Sequence, residues 1–454
     1  MDLVSRRHVS AAIPDVNGRT SLIWAADGGH AEIVEILLKR PDAGCNISSN
    51  SGRTALSVAA RRGHCEVVKL LLGQRDINPN ISGNDGRSPL ALAAEFGHEE
   101  VVKLLLERAD LNPNTESNHH RTPLSWAARS GHTGVVKLLL GRDDVDPDSP
   151  GNDGRTPLAL AAYYGHEEIV RLLLERDDVS PDIQIGNNRT PLAWAAKSGH
   201  AGIVRLLLER EDVNPDSLGN DGRTPLLLAA YYGRVEVAKL LAKRQDVCPN
   251  NPLAVAAKRG HVGVMKLLLE REDVNPNTAD DDGQTPLSLA IKPGNEKAVR
   301  VLLERGDVDP TIPDIDALPP LSMAARRGLY EIVRMLLERN DVNPNMRDGA
   351  GLTPLLWAAT YGCEGIVELL LEREDIDPNM PNTRGASPIS MAAVHRNVGV
   401  VKLLLGRGDL NLDTPDDKGL TALDWAIKGR HAEIIELLKT HGCAAPSTIG
   451  PTKA

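Results

Sequence analysis

Apolar residues recur along this chain in two short helical patterns separated by a glycine, and the pair of patterns repeats many times. Residues 153–182, DGRTPLALAAYYGHEEIVRLLLERDDVSPD, show one copy. The Leu-Ala-Leu-Ala-Ala stretch predicts a short helix with a small-residue face, and Ile-Val-Arg-Leu-Leu-Leu predicts a second, longer helix. Thr156 suits the N-cap of the first helix, Pro157 its first position, and Gly165 the left-handed residue that ends it.

The leucine of Thr-Pro-Leu marks the period of this pattern. Eleven of its twelve steps are 34 residues long and one is 27. A fixed period of this size predicts an all-α solenoid, because one helix pair cannot bury its apolar face alone and stacking on both neighbours does so. The positions that number repeats 1 to 13 are Leu22, Leu56, Leu90, Leu124, Leu158, Leu192, Leu226, Leu253, Leu287, Leu321, Leu355, Ile389 and Leu423.

The consensus G-x-T-P-L-x-x-A-A-x-x-G-H-x-x-I/V-V-x-L-L-L resembles the ankyrin repeat family over about residues 17–441. The resemblance implies L-shaped repeats, each with a β-hairpin finger and two antiparallel helices, stacked in a curved superhelix. Two features depart from the family. Its usual histidine after Thr-Pro-Leu is replaced, for example by Ala159, and the period is 34 where 33 is commoner.

The repeat pattern predicts four segments. Repeat 8 has lost seven residues of its finger, because only two asparagines separate Pro249 from Pro252. We therefore expect a missing finger near residue 250. The segments are a short N-terminal piece or repeat remnant at 1–14, repeats 1–7 at 15–249, repeats 8–13 at 250–441, and a flexible C-terminal tail at 442–454.

Composition narrows the function classes. The formal net charge is −10, with 52 Lys and Arg against 62 Asp and Glu, which argues against nucleic acid as the partner. Five scattered cysteines without a Cys-x-x-Cys pair indicate thiols of a reducing compartment. The sequence shows no signal peptide and no stretch of 18 apolar residues. It predicts a cytoplasmic or nuclear protein, or one present in both, without membrane attachment.

Three regular features invite a chemical interpretation, and each has a structural one. Eight histidines share one repeat position, but neighbouring helices stack about 8–10 Å apart, which is too far for one zinc ion, so we interpret them as structural. All five tryptophans share another position and are interpreted as core residues. Asp144-x-Asp146-x-Asp148 imitates a calcium loop but has Ser149 where glycine is required, which favours a solvated acidic loop. With no catalytic constellation, we expect no enzyme activity, cofactor or metal.

The positions that the repeat leaves free carry basic and aromatic residues. They are the residue after the turn glycine and the pair before the inter-helix glycine, which resemble the family's variable, inward-facing positions. They predict a basic concave face, centred on repeats 3 to 7, that binds an acidic protein segment. Alternatively, each finger arginine pairs with its own finger aspartate (Asp85, Asp153 or Asp221) and is mostly neutralised. The predicted partner-binding residues are Arg61, Arg62, Arg87, Phe96, Arg121, Arg129, Arg155, Tyr163, Tyr164, Arg189, Lys197, Arg223, Tyr231 and Tyr232.

These features predict a non-enzymatic scaffold or adaptor inside the cell, and the family resemblance includes regulatory proteins such as transcription co-regulators. Two alternatives stay open. The basic groove could bind nucleic acid or a phosphate ligand directly, since interleaved arginine and aromatic residues permit it, or the chain could be a fragment of a larger multidomain ankyrin protein. The sequence leaves the partner's identity and the oligomeric state open.

Overall fold

The computed structural model describes residues 10–184, 189–244, 247 and 250–443. The contacts divide the chain into two compact units, which we call the N-terminal unit (1–247) and the C-terminal unit (248–454). Over the described residues, every regular element is an α-helix and no β-strand forms, so the predicted all-α architecture is confirmed. The finger expected to be missing near residue 250 adjoins residues 248 and 249, which lie outside the described residues, and the predicted segment boundaries stay predictions.

Each repeat contributes a first and a second helix. The N-terminal unit contains α1 (Ser21–Asp27), α2 (Ala31–Leu38), α3 (Ala55–Arg62), α4 (Cys65–Leu72), α5 (Pro89–Phe96), α6 (Glu99–Leu106), α7 (Pro123–Ser130), α8 (Thr133–Leu140), α9 (Pro157–Tyr164), α10 (Glu167–Leu174), α11 (Pro191–Ser198), α12 (Ala201–Leu208), α13 (Pro225–Tyr232) and α14 (Val235–Ala242). The C-terminal unit contains α15 (Asn250–Arg259), α16 (Val262–Leu269), α17 (Pro286–Ile291), α18 (Glu296–Leu303), α19 (Pro320–Arg326), α20 (Tyr330–Leu337), α21 (Pro354–Tyr361), α22 (Glu364–Leu371), α23 (Pro388–Val394), α24 (Val398–Leu405), α25 (Ala422–Lys428) and α26 (Ala432–Thr440).

The first helix of a repeat begins and ends as the sequence predicts. In repeat 5 the Thr156 side chain accepts a backbone N–H of the first turn, Pro157 opens the helix, and Gly165 ends it with a φ of 89°. In repeats 12 and 13, Arg396 and Arg430 occupy the glycine position with φ values of 59° and 56°. A side chain disfavours this left-handed conformation, so both arginines carry local backbone strain.

The core follows the stacked helices through each unit. Leu158 and the alanine pair Ala161 and Ala162 are fully buried on α9, as are Val170 and Leu173 on α10. Helix α9 packs between α7 and α11, the first helices of the neighbouring repeats. The small alanine side chains allow these helices to approach closely, which explains why the Ala-Ala pair recurs.

The row of histidines ties consecutive repeats together. Nε2 of His166 lies 3.1 Å from the carbonyl oxygen of Arg129, and Nε2 of His200 lies 3.1 Å from that of Tyr163. His64, His98 and His132 make the same contact with the repeat before theirs. The structural interpretation of these five histidines is confirmed.

The fingers of repeats 2 to 5 are short turns, each joined to the preceding finger by an asparagine. In repeat 5, the N–H of Gly151 donates to the Arg155 carbonyl at 3.1 Å, which closes the turn. The backbone N–H of Asn152 then donates to the carbonyl of His119 in the preceding finger, and its side chain donates to the carbonyl of Asn118. Asn50, Asn84 and Asn118 repeat this arrangement.

A second polar ladder joins the loops that follow the second helices. The Nδ2 of Asn114 donates to the carbonyl of Asp144 at 2.6 Å, and its Oδ1 accepts the N–H of Asp146 at 3.0 Å. In the next repeat Asp148 takes this position and accepts the N–H of Ser180 at 2.8 Å. Asp148 is half-buried, so the prediction of a solvated acidic loop is only partly correct at this residue.

The tryptophan position is only partly a core position. Trp126 and Trp194 are buried, as predicted, whereas Trp24 is 51% exposed, so the prediction is wrong for repeat 1. Across the described ranges, no cluster of histidine, cysteine and acidic side chains could hold a metal ion. No helix there is long and apolar enough to cross a membrane.

Candidate functional site

The two sets of free positions meet on one face of the N-terminal unit. Nη1 of Arg87 lies 2.6 Å from a carboxylate oxygen of Glu95 at the end of the same repeat's first helix. The guanidinium of Arg155 lies 4.4 Å from the ring centroid of Tyr163, which occupies the equivalent helix end. We call this surface the arginine–aromatic face. It consists of the finger arginines Arg53, Arg87, Arg121, Arg155, Arg189 and Arg223 and the helix-end residues Arg61, Phe96, Arg129, Tyr163, Tyr164, Lys197, Tyr231 and Tyr232.

Pairs of finger arginines share one aspartate. Asp153 lies 2.8 Å from Arg121 of the preceding repeat and 3.8 Å from Arg155 of its own repeat. The shorter ion pair therefore crosses between repeats, and one carboxylate serves two guanidinium groups. The alternative in which each arginine is neutralised by its own aspartate is thus only partly correct. The other two triplets are Arg53–Asp85–Arg87 and Arg189–Asp221–Arg223.

A glycine makes room for each of these triplets. A Cβ on Gly151 would lie 3.1 Å from Cγ of Arg121 and 3.1 Å from Oδ1 of Asp153. Gly83 and Gly219 are equally close to their own triplets. The triplets could have been found from the sequence, because the segment Gly-Asn-Asp-Gly-Arg occurs identically at 83–87, 151–155 and 219–223, always 68 residues apart. The one-repeat consensus does not show this two-repeat period.

Buried tryptophans hold the finger arginines in place. The guanidinium of Arg155 lies 4.0 Å from the ring centroid of Trp194, and that of Arg189 lies 5.2 Å from it. Trp126 is contacted in the same way by Arg87 at 4.2 Å. As a result only 18% of the Arg155 side chain and 13% of the Arg189 side chain are exposed. The finger arginines form the floor of the face, and interpreting the tryptophans only as core residues missed this role.

Burial has an electrostatic consequence at the first of these arginines. It lowers the pKa of Arg53, while the nearby Asp85 carboxylate works in the opposite direction. The Nη1 of Arg53 is buried and finds no hydrogen-bond partner among the described residues. One donor nitrogen of this guanidinium is therefore not used by the described residues.

The aromatic side chains that protrude from the face recur in every second repeat. Phe96, Tyr164 and Tyr232 are 44%, 40% and 37% exposed. A cation from the preceding repeat lies over each ring. Arg129 lies 5.8 Å from the Tyr164 ring centroid, and its Nε donates to the Tyr164 hydroxyl at 3.4 Å. The equivalent pairs are Arg61 over Phe96 at 5.5 Å and Lys197 over Tyr232 at 5.7 Å.

The structure places the remaining predicted residues as follows. Tyr231 lies under the Arg223 guanidinium, 4.4 Å from ring centroid to Cζ. Arg62 is exposed at the end of α3 and pairs with Asp27 of repeat 1 at 2.9 Å, so its charge is compensated locally. His119 at a finger tip lines a recess of about 300 Å³ together with Trp126, Asn152 and members of the face.

The face does not continue with the same chemistry in the C-terminal unit. There the position of the finger arginine is apolar at Leu318, Ala386 and Leu420, and all three are buried. Tyr361 is 56% exposed, but its ring stacks on Trp357 of its own helix. Helix-end cations do occur there, for example Arg326 over Trp357 at 4.8 Å. Among the described residues, the combination of a finger arginine pair with a cation over an exposed ring of the next repeat is found in repeats 2 to 7.

This arrangement is suited to binding. Its polar groups are guanidinium, ammonium and phenol, held in position by aromatic rings and shared carboxylates. Guanidinium groups bind carboxylate and phosphate with directed hydrogen bonds, and exposed tyrosine and phenylalanine provide apolar contact at low entropic cost. The face can therefore hold an anionic ligand that also has an apolar component.

Comparisons with known proteins address the fold as a whole. A solved structure similar to part of this chain is an ankyrin repeat domain from Acinetobacter baumannii AYE, which is 27% identical, with coverage of 42% of this chain and 98% of that one and a TM-score of 0.40. No curated protein matches. The family model described as ankyrin repeats (3 copies) matches residues 3–83, 43–117, 76–151, 112–185, 177–251, 243–314, 307–382 and 374–448. Since these matches extend over almost the whole sequence, the chain belongs to the ankyrin repeat family.

Proposed function

We propose that this protein is a non-enzymatic interaction scaffold whose arginine–aromatic face binds an acidic segment of a protein partner. Ankyrin repeats generally mediate protein–protein interaction. The observation that carries the narrower proposal is the sharing of carboxylates. In each finger triplet one aspartate faces two arginines, so the face keeps an excess of positive charge although the whole chain has a net charge of −10.

The face is also preorganised for binding. The rings of Tyr163 and Trp194 hold Arg155, and Asp153 holds Arg121. These arginines therefore lose less side-chain entropy when they bind a partner's carboxylate than freely moving arginines would. Tyrosine and arginine are enriched at interaction hot spots. Exposed Phe96, Tyr164 and Tyr232 supply the apolar part of such a contact.

The cellular role of such binding is inferred from the ankyrin repeat family and not from the arginine–aromatic face. We propose that the partner is a regulatory protein of the cytosol or nucleus, with transcription co-regulation as one form of that role. This part of the proposal is tested by the identity of the captured partner and by fluorescence imaging of the tagged protein. A partner or location outside the cell would contradict it.

The test uses a variant that removes protruding groups and leaves the packed floor intact. We combine Arg129→Ala, Tyr164→Ala and Lys197→Ala, because Arg155 and Arg189 are largely buried against rings and their replacement would disturb packing. Lys137→Ala is the matched control. It removes a cation from an exposed position on α8, where its only ion pair in the described residues is a 3.9 Å contact with Glu168.

Binding of a fluorescent 20-residue glutamate-rich peptide is measured by anisotropy at low ionic strength, together with quantitative affinity capture of cellular proteins. We expect the triple variant to lose at least tenfold in peptide affinity and to lose the same captured proteins, with Lys137→Ala close to the unchanged protein. Equal binding by the triple variant would refute the proposal. A single-stranded DNA of the same length tests the nucleic-acid alternative, which demands a steep loss of affinity with salt.

A further inference from the structure

The arginine–aromatic face is built from one arrangement repeated three times. In repeats 4 and 5, Arg121, Asp153 and Arg155 form the floor, and Arg129 lies over the ring of Tyr164. We call these five residues station 2. Stations 1 and 3 consist of the residues 68 positions before and after, with Phe96 and Tyr232 in place of Tyr164 and Lys197 in place of Arg129.

The three stations are alike in geometry as well as in sequence. The shorter ion pair of the floor measures 2.6, 2.8 and 2.6 Å in stations 1, 2 and 3. The cation lies 5.5, 5.8 and 5.7 Å from the centroid of the exposed ring. Each station contains three cations and one shared aspartate, and in station 1 the Glu95 carboxylate also binds Arg87. A partner therefore meets a positively charged site with one exposed ring in every second repeat, and station 1 has the smallest positive charge of the three.

The finger arginines of the floor follow one another in every repeat, and Arg87 and Arg121 lie over the same ring, that of Trp126. The protruding positive charge, in contrast, is interrupted between the stations. The second residue of the helix-end pair is Ser130 in repeat 4 and Ser198 in repeat 6, and the first is Tyr163 in repeat 5. In repeat 3 that first position is Glu95, whose carboxylate is bound to Arg87. The protruding cations Arg61, Arg129 and Lys197 are thus separate points and do not form a continuous strip.

We infer that the three stations bind a single extended protein segment whose acidic clusters repeat at the spacing of two repeats. This inference rests on the proposed function and adds the spacing of the ligand to it. Stacked helices lie about 8–10 Å apart, so consecutive stations are roughly 16–20 Å apart. An extended chain rises about 3.3 Å per residue, so the acidic clusters should recur every five or six residues.

The charge pattern favours such a segment over other occupants. Acidic segments with few apolar residues are disordered when free and are available for binding in an extended form. A nucleic acid carries a charge about every 3.4 Å along each strand. Its closely spaced phosphates would be matched better by a continuous row of protruding cations than by cations that recur in every second repeat. The two-repeat period is therefore matched by a protein segment with spaced clusters.

The test compares peptides of the same composition. One peptide carries three Glu-Glu pairs with a six-residue period in a Gly-Ser-Tyr background, and the other carries the six glutamates in one block. We expect the spaced peptide to bind the full-length protein about tenfold more tightly, because linked clusters engage a second station at high effective concentration. Affinities are measured by fluorescence anisotropy up to 1 mM protein.

A peptide with only two Glu-Glu pairs makes the sharper distinction. It can occupy stations 1 and 2 or stations 2 and 3. Removing station 2 with Arg129→Ala and Tyr164→Ala should abolish both arrangements and cost tenfold or more in affinity. Removing station 1 with Arg61→Ala and Phe96→Ala leaves one arrangement and should cost only about twofold. Circular dichroism of each variant confirms that its helices are retained.

The outcomes separate this inference from the proposed function. If both six-glutamate peptides bind with equal affinity, and the station variants weaken both equally, the spacing inference is overturned while binding of acidic segments stands. If no peptide binds up to 1 mM, both are overturned. Equal losses from the station 1 and station 2 variants with the two-cluster peptide would also overturn the spacing inference.

Discussion

Replacing Asp148 with asparagine should stabilise the protein, because Asp148 interrupts an asparagine ladder. In the preceding repeats Asn46, Asn80 and Asn114 each accept an N–H 32 residues ahead and donate Nδ2 to a carbonyl 30 residues ahead, at 2.6 to 2.7 Å. Asp148 keeps the first bond, to Ser180, but an ionised carboxylate cannot make the second. Its Oδ1 is buried and without a hydrogen-bond partner among the described residues.

The size of the gain follows from two terms. The amide introduced by Asp148→Asn could donate to the carbonyl of Asp178, and one such hydrogen bond contributes about 1 kcal/mol to stability. The substitution also removes a half-buried charge, whose cost is visible in the pKa of Asp148. That pKa is raised, first by burial and further by Asp146 and Asp178. Together we expect Asp148→Asn to raise the free energy of unfolding by about 1–2 kcal/mol at neutral pH.

The pH dependence gives an independent check. Since the folded-state pKa of Asp148 is raised, the folded chain binds the proton more readily than the unfolded chain does. The penalty is therefore present in full above the raised pKa and disappears as the pH falls towards the ordinary aspartate value of about 4. The difference between Asp148→Asn and the unchanged protein should be largest at pH 7 and smaller at pH 4.

The assay is equilibrium unfolding in urea, followed by far-ultraviolet circular dichroism and by the intrinsic fluorescence of the five tryptophans. Two of them, Trp126 and Trp194, flank the substituted loop in sequence. Asn114→Asp is the reciprocal variant, and it should lower the free energy of unfolding at pH 7 by about 1–3 kcal/mol, because it loses the bond to the Asp144 carbonyl. A destabilised Asp148→Asn, or a gain that does not change between pH 7 and pH 4, would refute the reasoning.

Two further substitutions test the backbone and the floor of the face by the same unfolding assay. Arg396→Gly should raise the free energy of unfolding by about 0.5–1 kcal/mol, because residue 396 has a φ of 59° and glycine adopts that conformation without steric cost; a loss of stability would contradict the assigned strain. Gly151→Ala should lower it by about 1 kcal/mol, since the new Cβ would press on Arg121 and Asp153 at 3.1 Å. Gly141→Ala is its control, with only ordinary contacts at 3.4 Å and beyond, and an equal loss there would remove the support for a crowded triplet.

The sequence by itself determined the repeat, its two helices and their ends. The reason is that these depend on local chemistry, such as the Thr156 cap, the Pro157 start and the left-handed Gly165, together with an apolar period that only stacking can bury. It also indicated which positions of repeats 2 to 7 are free of the consensus, and the structure brings those positions together on one face. Whether that face binds a partner stays a prediction.

Only the tertiary structure decided how the free residues interact. Asp153 binds most closely to Arg121, 32 residues earlier in the chain, and Trp194 holds the guanidinium of Arg155 from the preceding repeat. Such contacts join residues one repeat apart, and a period alone does not say which neighbour a long side chain will reach. The same holds for Asp148, which looks solvated in sequence but is half-buried because the next loop packs over it. Local rules shape one repeat, whereas the stacking of repeats decides which charges are shared, buried or left for a partner.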